Sequence, residues 1–375
     1  MEFFDLKKQY ELLEPSIQNR INAVLHHRKF IMGPEIAELE EKLSSFAGCT
    51  YCVSCSSGTD ALLMGLMAFG IGPGDAVFTT PFSFFATAEV ISLVGATPIF
   101  VDIEEATFNI DPMKLEEAIL DVQKGMQRVP GISKRLNPKA VIAVDLFGLP
   151  SKYGDINRIG KKYDLVIVED AAQSFGGALG EKKVGSLTDI AATSFFPAKP
   201  LGCYGDGGAL FTDDADLAKR LRSLREHGKG EYKYDNTRIG INGRLDTIQA
   251  AVLLGKLEVF SAELDRRQEI AGFYSEMLAD IVKVPRIPEG FRSAWAQYSV
   301  LTDQREYFLE KLKKAEIPFA VYYPKPLHLQ TALSYLGYHK GDFPISEGVS
   351  ERIFSLPMHP YLEREEQEMI VNAIK

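Results

Sequence analysis

The chain is expected to fold as an α/β protein, a large sheet domain followed by a smaller C-terminal α+β domain, and three features of the sequence lead there. Its 375 residues exceed one ordinary domain of ~100–200 residues, so two lobes sharing a cleft are expected. Short apolar runs alternate with helical periodicity through the first two-thirds of the chain, the pattern of a sheet covered by helices. A longer apolar-periodic stretch beginning at Asp246 then leads away from that alternation.

Seven runs read as strands, at 51–55, 76–79, 97–101, 140–144, 165–169, 191–195 and 208–212. Most are apolar or β-branched on both faces, as strands buried beneath helices are. Between them, helical periodicity predicts helices at 60–69, 86–94, 112–122, 153–163 and 214–226. The stretch 246–264, continuing through Asp265-Arg-Arg-Gln-Glu, reads as one connecting helix leaving the sheet. The expected division is therefore 1–258 for the large domain with its N-terminal arm and 259–375 for the smaller one.

Composition narrows the function. Hydrophobic residues at 46% and charged residues at 25% are those of a soluble globular protein. The longest apolar stretch, 61–71, falls short of the ~20 residues of a membrane span, and the start Met1-Glu2 lacks the basic flank of a signal peptide, so no membrane partner and a cytoplasmic location are expected. A net charge of −9 repels phosphate backbones at long range, which disfavours nucleic acid as a partner and leaves a small molecule. Cys49, Cys52 and Cys55 form a C-x-x-C-x-x-C run, but Thr59 stands where an iron–sulfur run would place its fourth cysteine. Alternation along a strand would turn Cys52 away from both Cys49 and Cys55, so buried thiols are expected. No histidine has a second ligand at metal-site spacing, and no metal is expected.

Three stretches carry chemistry. The first is Ser194-Phe-Phe-Pro-Ala-Lys199-Pro-Leu-Gly202-Cys-Tyr-Gly-Asp-Gly-Gly208, a lysine after a buried strand, stiffened by prolines and flanked by glycines that admit a close approach to the backbone. A lysine kept partly neutral forms a Schiff base with an aldehyde such as pyridoxal phosphate (PLP) and can shuttle protons; a structural lysine is the alternative. The second is Leu165-Val-Ile-Val-Glu169-Asp170-Ala-Ala-Gln173-Ser174, a strand ending in carboxylates at the edge where open α/β sheets bind ligands. Asp170 is the candidate to keep a PLP ring nitrogen protonated, with helix capping as the bland alternative. The third is Ser56-Ser57-Gly58-Thr59-Asp60 before an apolar helix, which reads as a phosphate seat at a helix N-terminus or as simple capping by Thr59 or Asp60. No glycine cluster fits G-x-G-x-x-G opening a helix, which disfavours a dinucleotide fold.

In this order the residues resemble the DegT/DnrJ family of nucleotide-sugar aminotransferases, within the PLP-dependent fold type I (aspartate aminotransferase-like). The resemblance runs from Phe4-Asp-Leu-Lys-Lys-Gln and Gly33-Pro-Glu-Ile-Ala-Glu-Leu-Glu, through Pro98-Ile-Phe-Val-Asp102-Ile and Leu146-Phe-Gly-Leu-Pro150, to Ser355-Leu-Pro-Met-His-Pro360. It implies PLP as cofactor, borne by Lys199, with Asp170 at the ring nitrogen, Gln173 at the ring hydroxyl, and Gly58, Thr59 and Ser194 at the phosphate. It implies that Phe84, in Phe82-Ser-Phe-Phe-Ala-Thr87, stacks on the ring, where plain core packing is the other reading. It also implies an obligate homodimer with shared sites, in which Asn242, from Gly240-Ile-Asn-Gly-Arg244, reaches the neighbour's cofactor phosphate and Arg244 holds a carboxylate or phosphate.

Within the family, the stretch from Phe195 to Gly208 resembles enzymes that aminate carbon 3 of a UDP-linked 2-acetamido-3-keto-glucuronate with glutamate as donor. Arg244, Tyr322 and His328 are the expected substrate residues. Those enzymes tend to carry histidine at the position of Tyr322 and another polar residue at that of His328. Tyr323-Pro-Lys-Pro-Leu-His328 instead resembles relatives acting on other keto sugars, which keeps a dTDP- or UDP-linked 3- or 4-keto-6-deoxy sugar as an alternative. A non-catalytic PLP-binding regulator is the reading from another class, and Lys199 together with Asp170 argues against it. Sugar dehydratases of the family typically replace the lysine with histidine.

Overall fold

The structure is a computed structural model that describes residues 1–232 and 234–375. Seven strands build one mixed sheet: β1 (Tyr51–Cys55), β2 (Asp75–Thr79), β3 (Thr97–Phe100), β4 (Asn137–Val144), β5 (Val166–Asp170), β6 (Ile190–Ser194) and β7 (Gly208–Thr212). Their order across the sheet is β3-β2-β4-β5-β6-β7-β1. The strands from β3 to β6 pair in parallel, whereas β7 runs antiparallel to both β6 and β1. All seven expected strands are present, with ends agreeing to one residue except that β4 begins at Asn137.

Helices cover both faces, as the two-sided apolar strands require. One face carries α3 (Gly58–Ala68) and α7 (Ala215–Arg225), whose Met64, Leu66, Leu217 and Leu221 pack on Val53, Ile142 and Leu210. The other carries α5 (Pro112–Gln123) and α6 (Tyr153–Tyr163), with Leu115, Ile119, Ile156 and Ile159 on Phe78, Val141 and Ile167. Local chemistry sets the starts: Asp111 caps α5 through the Met113 N–H at 2.8 Å with Pro112 as first helical residue, and Asp214 caps α7 through the Asp216 N–H at 2.8 Å. α4 (Ala86–Leu93) follows β2.

Cys52 and Cys55 lie in different core layers on opposite faces of β1, but Cys49 packs at the rim of the layer that holds Cys52. The expectation that Cys52 would face away from Cys49 fails because Cys49 precedes the strand, so strand alternation does not reach it.

The N-terminal arm forms two helices, α1 (Leu6–His27) and α2 (Pro34–Ala47). The expected connecting helix is two helices, α8 (Thr247–Leu257) and α9 (Phe260–Leu278), broken at Glu258 and Val259. α8 is wrapped by α1 and α2 and buries Ala250 through Lys256, while α9 keeps only Phe260 and Leu264 in that core before turning outward. There Tyr274 and Leu278 join Tyr298, Val300, Phe354 and Ile370. This second core is built on a two-stranded antiparallel sheet, β8 (Tyr298–Leu301) with β9 (Ile353–Leu356), and on α10 (Arg305–Lys314) and α12 (Arg364–Ile374). Residues 327–343 return to the large core, where Leu327, Leu336 and Phe343 pack with Ile99 and Phe100, so the layers do not follow a single cut in the chain. Among the described residues, no helix is long and apolar enough to cross a membrane.

Candidate active site

At the carboxyl edge of the sheet, the ends of β5 and β6, the start of α3 and the segment from Tyr322 enclose a cavity of about 720 Å³. This is the edge where parallel strands direct their C-terminal residues. Lys199 enters the cavity from the excursion between β6 and β7. That excursion is closed by the Phe195 N–H on the Gly207 carbonyl at 2.7 Å and the Cys203 N–H on the Phe195 carbonyl at 2.8 Å. The turn demands its glycine: a Cβ on Gly202 would stand 2.6 Å from the carbonyl oxygens of Phe196 and Pro197.

The Lys199 N–H bonds the Phe196 carbonyl at 2.9 Å, while its half-buried side chain opens to the cavity and its amine has no hydrogen-bond partner among the described residues. Protein packed closely around it disfavours the ammonium and pushes its amine down to about 8, against the opposing pull of Asp170. Asp170 is 5% exposed. Its Oδ2 accepts from the Thr87 hydroxyl at 2.8 Å and its Oδ1 from the Ala172 N–H at 3.3 Å. Burial raises its pKa, and the Thr87 and Ala172 hydrogen bonds and the charge of Lys199 only partly oppose it. A cation placed against Asp170 would reverse that push.

Behind Asp170 lies Asp145, fully buried, accepting from the Ser151 N–H at 2.7 Å, Tyr153 Oη at 2.8 Å and Ser174 Oγ at 2.9 Å. Burial pushes it up to about 7. Sequence reasoning singled out neither Thr87 nor Asp145. Asp145 had a signal, as the first residue after an apolar strand, like Asp170 at the end of β5.

The α3 terminus supplies a seat for an anion. Ser57, not Thr59 or Asp60, caps the helix, accepting from the Asp60 N–H at 3.0 Å. Gly58, Thr59 and Ser194 line the cavity beside it, and a Cβ on Gly58 would meet Ser194 Cβ at 2.6 Å. Phe84 is 58% exposed on the cavity wall rather than packed in a core. Gln173 is held at both ends, its Oε1 accepting from the Phe147 N–H at 2.7 Å and its Nε2 donating to the Tyr323 hydroxyl at 3.0 Å.

Of the residues expected at the site, the fold gathers Gly58, Thr59, Phe84, Asp170, Gln173, Ser194, Lys199 and Tyr322 around this cavity. It does not bring three others to the wall. Asn242 is exposed, bridged to Glu226, and Arg244 is half-buried two residues further on. His328 is buried, its Nε2 3.1 Å from Glu347 Oε1, and burial lowers its pKa. It faces the packing between residues 327–343 and the sheet rather than the cavity.

A half-buried, partly neutral lysine, a buried carboxylate with no ion pair among the described residues and a helix N-terminus beside the cavity are the donor set that PLP requires, and the residues present fit it. Fold and site together define a PLP-dependent aminotransferase of fold type I. The DegT/DnrJ/EryC1/StrS aminotransferase family model matches residues 12–375, and the chain belongs to that family. A Pseudomonas aeruginosa protein named UDP-2-acetamido-2-deoxy-3-oxo-D-glucuronate aminotransferase is 43% identical over 375 residues, covering 100% of this chain and 99% of that one. A DegT DnrJ EryC1 StrS aminotransferase from Brucella abortus, solved by crystallography, superposes with a TM-score of 0.96 at 50% identity, covering 100% and 98% of the two chains. The crystal structure of NtdA from Bacillus subtilis, with bound cofactor PMP, superposes with a TM-score of 0.87 at 29% identity, covering 99% and 82%.

Proposed function

We propose that the chain transfers an amino group from glutamate to carbon 3 of a UDP-linked 2-acetamido-3-keto sugar, with a glucuronate favoured. The observation that carries the proposal is the amine of Lys199, pushed down to about 8 and sharing a cavity of about 720 Å³ with the buried Asp170. That volume lies in the ~300–1,000 Å³ range of small-molecule sites. The substrate rests on the likeness, along the whole chain, to the Pseudomonas protein and its named activity.

The bound cofactor supplies an electron sink that carries nitrogen between the two half-reactions. Lys199 would hold it until the donor's amine takes its place, and the Nζ so freed would take a proton from the donor's α-carbon and, in the second half, return one to carbon 3 of the sugar. Asp170, oriented by Thr87, keeps the ring nitrogen protonated. Gly58, Thr59 and Ser194 seat the phosphate and Phe84 covers the ring face. Gln173 uses one Nε2 hydrogen on Tyr323, which leaves the second for the ring hydroxyl. Tyr322 faces the sugar. Asn242 and Arg244, away from their own chain's cavity, complete the site of a neighbouring copy in a cytoplasmic homodimer.

The test loads the enzyme with PLP, adds glutamate, then supplies a nucleotide-linked 3-keto glucuronate, its uncharged 3-keto counterpart or a 4-keto sugar, following the cofactor's absorbance. The 3-keto glucuronate is expected to return the spectrum fastest. A preference for the 4-keto sugar overturns the carbon 3 assignment, and a spectrum that no sugar returns overturns the acceptor class.

A further inference from the structure

If the acceptor is a uronate, as the proposed function holds, its carboxylate and those of glutamate both need cations, and the family resemblance offers only Arg244 of a neighbouring copy. Among the described residues lining the cavity, the cations are Lys199 and Lys325. Lys199 is committed to the cofactor. Arg244, the expected carboxylate partner, stands off its own chain's wall and would enter only from a neighbouring copy, where the glutamate carboxylate also claims it, and Tyr322 offers only a neutral hydroxyl whose pKa burial raises.

Lys325 lines the cavity within the segment Tyr322-Tyr-Pro-Lys-Pro-Leu327. Its backbone is restrained by the flanking prolines and by its own carbonyl, which accepts from Gln330 Nε2 at 3.2 Å. The Leu327 N–H on the Pro81 carbonyl, at 2.7 Å, ties this segment to the large domain. The ammonium itself is exposed and has neither an ion pair nor a hydrogen-bond partner among the described residues. The segment 322–330 contains no acidic residue, whereas the cavity's acids, Asp170 and Asp206, belong to the strand end and the lysine turn. The wall at Lys325 is thus where an anionic substituent gains a positive charge without facing a carboxylate on the same segment.

We propose that Lys325 is the specificity-determining cation of the cavity, recognising the carboxylate of a uronate acceptor. A lysine acts as a point charge on a flexible stem, suited to a substituent whose position shifts as the ketone carbon becomes an amine-bearing one. The ammonium is exposed, so solvent screens it and the expected discrimination is about tenfold rather than the larger effect of a buried pair.

The experiment uses the PLP-loaded enzyme and measures each half-reaction by cofactor absorbance, with glutamate, with the 3-keto uronate, and with its uncharged 3-keto counterpart on the same nucleotide. Lys325→Gln is expected to lower kcat/KM for the uronate about tenfold more than for the uncharged sugar, chiefly through KM, and Lys325→Arg to recover most of that preference. Equal losses for the two sugars overturn the proposal, because the cation then serves the diphosphate common to both. A loss concentrated in the glutamate step overturns it in favour of the donor. An unaltered preference in Lys325→Gln, with the preference removed in Arg244→Gln, hands the carboxylate to Arg244. A wild-type enzyme that processes neither sugar removes the proposed function itself, a result separable from an unaltered Lys325→Gln preference, which removes only this inference.

Discussion

The role proposed for Lys199 rests on its surroundings. Burial penalises the ammonium more than the nearby Asp170 favours it, so the amine titrates at about 8 instead of the ~10.4 of a free lysine. The neutral, nucleophilic form therefore grows as pH rises through about 8 and is scarce below it. Amine-selective labelling of Lys199 in the PLP-free protein, read by mass spectrometry across pH, is expected to be half-maximal near 8. A midpoint near that of a free lysine contradicts this account of the amine. Lys199 and Asp170 were legible in the sequence because each sits where a buried strand ends, and strand ends converge at one edge of the sheet. Thr87 was not: it lies 83 residues from the Asp170 it bonds, and nothing local marks the pair. His328 read as a substrate residue because it closes the stretch Tyr323-Pro-Lys-Pro-Leu-His328, which resembles family members acting on other keto sugars. Its partner, Glu347, is 19 residues away, and only the fold reveals that the two pair away from the cavity.

At the scale of elements, one carboxylate fastens the C-terminal segment onto the sheet. Asp102, just past β3, is 5% exposed and accepts from the N–H groups of Ile345 and Ser346 at 3.0 and 2.9 Å and from Ser346 Oγ at 2.6 Å. These donors open α11 (Pro344–Arg352), so an anion there also meets the positive end of the helix dipole. Asp102→Ala leaves buried donors unsatisfied and is expected to cost about 2–3 kcal/mol in denaturant unfolding, with Asp102→Asn costing less. A loss under about 0.5 kcal/mol, the ordinary range of surface changes, contradicts the fastening role. The sheet strands were legible because covering both faces makes each one a continuous apolar run. The arm helices were not picked out, since α1 buries little beyond Leu13, Ile17 and Val24 and carries Pro15 within it. The break at Glu258 and Val259 itself holds no proline or glycine, and Gly255, three residues earlier, stays within α8. The break follows from tertiary packing, which holds α8 against α1 and α2 and sends α9 to the second core.

Across the whole molecule, the proposed homodimer explains surface features that a lone chain does not. Ile239 is 86% exposed and Leu93 64% exposed, and the two share a groove with Met67 and Phe69. Exposed apolar ground of this kind marks association surfaces. Ile239 sits three residues before Asn242 and five before Arg244, so the chain that would enter a partner's site begins in this groove. If each site takes Lys199 from one copy and Arg244 from the other, two defective chains can repair each other. The deciding measurement is transamination by Lys199→Ala, by Arg244→Ala, and by an equal mixture of the two after subunit exchange. Each variant alone is expected to be nearly inactive. The mixture is expected to regain roughly a quarter of wild-type turnover, because half of randomly paired dimers are mixed and each of those holds one complete site. Turnover by the Lys199→Ala protein alone would contradict the central claim that this lysine carries the reaction, and a mixture no more active than its components would contradict the shared site.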